Sequence, residues 1–110
     1  MKGGIIMKQF YAGIFMSKDD LANVGVHYPV KLEYYKTESN FIKEKDKTRY
    51  GIEVIKTSYI NEEIKVENSK ITGITKDEKI VNQILDIMKK NEVTPVCAEY
   101  IVQDLLKEIG

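Results

Sequence analysis

The sequence predicts an α+β fold: a small antiparallel sheet of three or four strands followed by a C-terminal helical hairpin packed on one of its faces. Three observations predict it. Alternation of apolar and polar residues dominates as far as Asn68, helical spacing replaces it after Thr75, and Thr94-Pro95 divides the helical part in two.

From residue 9 to 16, Phe10, Ala12, Ile14 and Met16 fall at every second position, the pattern of a strand with one buried face. Residues 17–26 mix charged and small side chains, and Ser17 with Asp20 has the spacing of a single capped helical turn. Over residues 28–36, Tyr28, Val30, Leu32 and Tyr34 alternate with Lys31, Glu33 and Tyr35, which predicts a second strand. Pro29 lacks an N–H and belongs at its start or on an edge. Residues 37–48 are polar and read as a surface loop.

Residues 49–60 and 63–68 make the clearest hairpin. A two-residue turn at Asn61-Glu62 sets Tyr59 opposite Ile64, Thr57 opposite Val66 and Lys56 opposite Glu67. One register thus yields an apolar face and a charge pair together. Asn-Glu is not the favoured Asn-Gly, and a longer loop is the alternative. Tyr50, Ile52 and Val54 have the opposite parity to Ile55, Thr57 and Tyr59, so either a bulge around Val54-Ile55 switches the facing or both faces are covered.

Thr75 and Glu78 stand at capping-box spacing before a helix that carries Ile80, Ile84 and Ile87 along one stripe with Val81, Leu85 and Met88 beside it. Lys89 and Lys90 suit its negative end, and Asn91 suits the left-handed residue that terminates it. Thr94 and Pro95 then cap and open a second helix, with Cys97, Ile101, Leu105 and Ile109 on one face and Ala98, Val102 and Leu106 widening it. So short a connection makes the two helices direct neighbours.

A length of 110 residues suits a single domain, 1–110, with one modest core. Met7 is a candidate start, which makes residues 1–7 an extension dispensable for folding. Lys8 and Gln9 interrupt the apolar N-terminal run, so neither a secretion signal nor a membrane span is expected. One Cys excludes an intramolecular disulfide and a cysteine zinc cage, and a reducing cytoplasm fits it. The formal charge is zero, with ten basic and seven acidic residues up to residue 60 and seven and ten beyond it. The most basic run, 43–49, is broken by Glu44 and Asp46, and residues 95–110 hold three acids to one base. Neither phosphate neutralisation nor a recognition helix is encoded, so no nucleic-acid partner is expected.

Cys97 lies in the first turn of the last helix, where the dipole favours a thiolate, but His27 is the only histidine and nothing orients it as a base. The simpler reading is a half-buried Cys97 facing the core and a rim position for His27. No metal set, cofactor loop or catalytic constellation is expected, and the chain reads as a non-enzyme. The seven tyrosines are more informative. With Val30, Leu32 and Tyr34 toward the helices, Tyr35 faces outward, and Tyr11 and Phe15 alternate away from Ala12 and Ile14. The expectation is an interaction or regulatory protein that binds a protein partner or a second copy. Tyr11, Phe15 and Tyr35 form its outer patch, and Glu99 and Asp104 lie on the acidic side of the last helix. The alternative is a small-molecule sensor or enzyme with a pocket between sheet and helices lined by Tyr28, Tyr34, Tyr50 and Cys97.

Tyr50-Gly51-Ile52-Glu53-Val54-Ile55, Ile71-Thr72-Gly73-Ile74-Thr75 and the C-terminal Val93-Thr94-Pro95-Val96-Cys97-Ala98 with Val102-Gln103-Asp104 resemble a family of small proteins of unknown function from clostridia and related Firmicutes. The resemblance covers roughly residues 28–110. Cys97 stands where the family pattern has His, which suits a structural role at the helix start. What the resemblance implies is a bacterial cytoplasmic setting and no particular reaction.

Overall fold

The computed structural model describes residues 4–41 and 48–109. Strand β1 (Gly4–Met16) leads through a short helix α1 (Lys18–Leu21) and a 3₁₀ turn (Ala22–Val24) to β2 (Val30–Phe41), β3 (Arg49–Ile60) and β4 (Glu63–Thr75). Helices α2 (Glu78–Lys90) and α3 (Pro95–Ile109) follow. The four strands form one antiparallel sheet in the order β1-β2-β3-β4, a plain meander. Among the described residues no helix is long and apolar enough to cross a membrane.

The core lies on one side of this sheet. Leu32 and Tyr34 of β2 and Ile52 and Val54 of β3 meet Val81, Ile84, Leu85 and Met88 of α2, with Ala98 and Val102 of α3 closing the edge. The α2 residues recur at the spacing of one helical stripe, which is why that face and no other is buried. Each such side chain contributes roughly 1.5–3 kcal/mol by leaving water. Two polar contacts fix the helices to the sheet. The Tyr34 hydroxyl donates to the Val93 carbonyl at 2.8 Å, and the nearly buried Lys36 ammonium donates to the Glu78 carboxylate and to Asn82 Oδ1. The molecule is 18 Å thick along its shortest axis, the depth of one sheet and one helical layer. Among the described residues no further layer covers the sheet's second face.

The β3–β4 turn is the two-residue version, with Ile60 opposite Glu63, and the register pairs Tyr59 with Ile64, Thr57 with Val66 and Lys56 with Glu67 as the sequence predicts. Asn61 takes a φ of 56°, the positive value that tight hairpins require and asparagine tolerates. Ser17 caps α1, and both hydrogen bonds of its capping box with Asp20 are formed.

Several expectations are corrected. Residues 37–41 are not loop: they continue β2, pairing with 8–4 of β1. The remainder of the expected loop, 42–47, lies outside the described residues, as do 1–3 of the expected extension, whereas Gly4–Met7 belong to β1. No bulge occurs at Val54-Ile55. Instead β4 carries the irregularity, advancing from Ile71 to Thr75 while β3 advances from Ile52 to Tyr50, with Gly73 at a φ of 66°. Gly51 sits opposite, where a Cβ would lie 2.2 Å from the Ile71 carbonyl oxygen. The N-cap of α2 is Asp77, whose carboxylate accepts from Lys79 N–H at 2.9 Å, while Thr75 ends β4 and its hydroxyl accepts from Asp77 N–H. At the other end Glu92 rather than Asn91 takes the left-handed conformation, with a φ of 52°. Cys97 is exposed rather than turned to the core.

Candidate functional site

The open face of the sheet is built by strict alternation in β2 and β3 and by a break in alternation in β1. Register shifts between Phe10 and Ala12, so Phe10, the first residue of the expected buried stripe, emerges on the open face opposite Tyr35. The two rings meet edge to face at 5.6 Å. The same bulge turns Tyr11 to the helical side, where its hydroxyl donates to the Asp86 carboxylate of α2. That hydrogen bond, then burial, then the charge of Asp86 push the Tyr11 phenol up to about 12. Tyr11 therefore ties β1 to α2 and forms no part of an outer patch, contrary to expectation.

At the centre of the open face is a linked polar group. Glu53 is only 5% exposed, although no layer of the described residues covers it. Its Oε2 accepts from Asn68 Nδ2 at 3.0 Å, and its Oε1 lies 3.3 Å from the Lys8 ammonium, an ion pair outside hydrogen-bond geometry. Lys8 also stands 4.6 Å over the Tyr35 ring. The Tyr35 hydroxyl donates to Glu33 Oε2 at 3.2 Å, and Lys31 lies 4.0 Å from the same carboxylate. Burial, the charge of Glu33 and the hydrogen bond to it raise the Tyr35 phenol above its ordinary value, opposed by Lys8 and Lys31. Lys8, Glu53, Lys31 and Glu33 are thus each engaged by a neighbour.

Around this centre the face is apolar and bare. Phe15 is 61% exposed, Ile64 66%, Val66 61% and Phe10 55%, fractions that place four large side chains in water on one surface. Cross-strand registration sets Phe15, Lys31, Thr57 and Val66 in one row and Tyr59 beside Ile64 in the next. Because β3 keeps its alternation, Ile55, Thr57 and Tyr59 stay on this face instead of switching to the core. Of the residues the sequence selected, Phe15 and Tyr35 are brought together here. Glu99 and Asp104 are exposed on α3, across the molecule, beside Tyr100 and Val96 at 75% and 78% exposure. They share no site with the sheet residues. Phe10, Lys8, Glu53, Ile64 and Val66 were missed. The signal for the last two was present, since the predicted hairpin register already put them opposite Tyr59 and Thr57.

The alternative pocket of Tyr28, Tyr34, Tyr50 and Cys97 is not assembled. Tyr34 is fully buried and its phenol is pushed up by burial and by the charge of Glu92. Tyr50 lies at the far end of β3 opposite Thr75, and Cys97 faces solvent. Tyr28 alone of the four borders a cavity, one of 210 Å³ between the sheet, α1 and the α2–α3 turn. Among the described residues no three His, Cys, Asp or Glu side chains gather into a group that could hold a metal ion.

A family model described as a family of unknown function, DUF6514, matches residues 17–108. The match begins where β1 ends and runs through α3. No curated protein and no solved structure matches the chain.

Proposed function

We propose that the chain, which belongs to the family of unknown function DUF6514, works as a non-enzymatic docking protein whose open sheet face receives a protein partner or a second copy of itself. The observation that carries this reading is the exposure of Phe10, Phe15, Ile64 and Val66 on one uncovered surface. Large apolar side chains clustered in water lower the free energy when a partner covers them, and a fixed polar centre supplies register. Lys8, Glu53, Lys31 and Glu33 of this face are engaged with one another or with Asn68 and Tyr35, which favours docking over catalysis. A bacterial cytoplasm is the setting that the free thiol and the resemblance to proteins of Firmicutes support. A regulatory role follows if the partner is an enzyme or receptor.

The test combines light scattering after size exclusion with a photo-crosslinking residue placed at Phe15 in cells. A discrete complex, with itself or one protein, that disappears in Phe15→Ser/Val66→Ser supports the reading. An unchanged complex in that folded double variant overturns it.

A further inference from the structure

A second feature lies away from the open face. The cavity of 210 Å³ has a floor of Leu21, Val26, Val30 and Leu32, and two ionisable side chains stand on different walls: Lys56 on the sheet and Glu92 on the α2–α3 turn. We propose that it binds a small zwitterion with an apolar side chain, the chemistry of a free aliphatic or aromatic amino acid, with Lys56 taking the carboxylate and Glu92 the ammonium.

Size restricts the ligand first. At ~30 Å³ per water the cavity holds about seven waters, the bulk of roughly ten non-hydrogen atoms. It falls below the ~300 Å³ at which sites for drug-sized ligands begin, which favours a small ligand. Charge restricts it next. Lys56 projects from the core-facing side of a central strand, opposite Leu32, where an apolar residue would be the ordinary choice. Its ammonium is 3.8 Å from Glu67, too far for a hydrogen bond, and no ion pair joins it to Glu92. Lys56 thus keeps only a loose, half-exposed ion pair with Glu67 that a ligand carboxylate can compete for, and Glu92 has no ion-pair partner among the described residues.

Glu92 carries the strongest argument. It occupies a left-handed position just past the end of α2, where glycine is the residue of least cost, so a side chain is kept there against conformational preference. It borders the cavity from the solvent-exposed rim, and its charge helps raise the buried Tyr34 phenol. The turn that bears it is fixed, because Tyr34 holds Val93 at 2.8 Å. Tyr28 and Thr94 border the same cavity beside its apolar floor.

Calorimetric and NMR titration of the whole chain with L-leucine and L-phenylalanine tests this, beside isocaproate, which lacks the amine, and isoamylamine, which lacks the carboxylate. The amino acids are expected to bind about tenfold or more tighter than either analogue, the loss of one charge-assisted contact. Lys56→Met should abolish the preference over isoamylamine. Glu92→Gly should abolish the preference over isocaproate while melting no lower than the parent, since glycine accepts the positive φ. Equal binding of the analogues, retention of both preferences in the variants, or no shift of Tyr28 and Thr94 resonances at about 10 mM amino acid overturns the proposal.

Discussion

Gly51 shows how a single missing carbon sets local geometry. The β4 backbone crosses it so closely that a Cβ would meet the Ile71 oxygen at 2.2 Å, with the Thr37 hydroxyl and Thr72 Cα at 2.8 Å. Since two of these three atoms are backbone, relief requires the strands to part. Gly51→Ala is expected to destabilise the fold by about 3 kcal/mol, measured as a lower urea midpoint. The tyrosines make a second residue-scale prediction. Tyr11 is held up to about 12 by its hydrogen bond to Asp86, against an ordinary 10.0, and Tyr34 is raised further by burial. A phenol whose folded value exceeds its unfolded one stabilises the native state fully below the unfolded value and loses that contribution as pH rises through the folded value. Stability should thus hold to about pH 10 and fall progressively through pH 12 and beyond. Urea midpoints followed with tyrosinate absorbance will check it, and Tyr11→Phe should flatten the part of the decline below about pH 12.

At the scale of elements, the two ends of α2 are the sensitive points. Asp77→Ala removes the side-chain acceptor for Lys79 N–H and should cost about 1 kcal/mol, read by thermal unfolding. Glu92→Gly should gain up to about 1 kcal/mol by relieving the positive φ. These positions also mark where local pattern ran out. The β3–β4 register was legible because apolar and charge pairing agreed on one alignment, and the helical stripes were legible because a face that packs on a sheet must repeat. Thr37–Phe41 was not, since a strand paired on both sides needs no apolar residues on its open face, and its polar sequence resembles a loop. The β1 bulge was equally hidden: one inserted residue exchanges Phe10 and Tyr11 between faces without altering alternation in the sequence. Asp77 prevailed over Thr75 as cap because β4 runs through Thr75 before the helix begins. In the candidate site, Phe15 and Tyr35 were readable from alternation alone, whereas the burial of Glu53 depends on Lys8 and Asn68 arriving from other strands.

The whole molecule is a slab with one covered face, and its two sides should answer mutation differently. Ile52→Ala or Val54→Ala, opposite α2 and fully buried, should cost about 2–4 kcal/mol. Phe15→Ser or Val66→Ser on the bare side should change stability by no more than about 0.5 kcal/mol, which the same denaturation series measures. Similar losses on both sides would mean that the second face is also part of the core. The meander has one further consequence. Strands β1 to β4 precede α2 and α3 in the chain, so on the ribosome the sheet is made before the layer that shields it. At about 5–20 residues per second, Leu32, Tyr34, Ile52 and Val54 await their cover for a time on the order of seconds. During that interval the nascent sheet has two sticky sides in place of one, and a chaperone that shelters bare strands would find its substrate there.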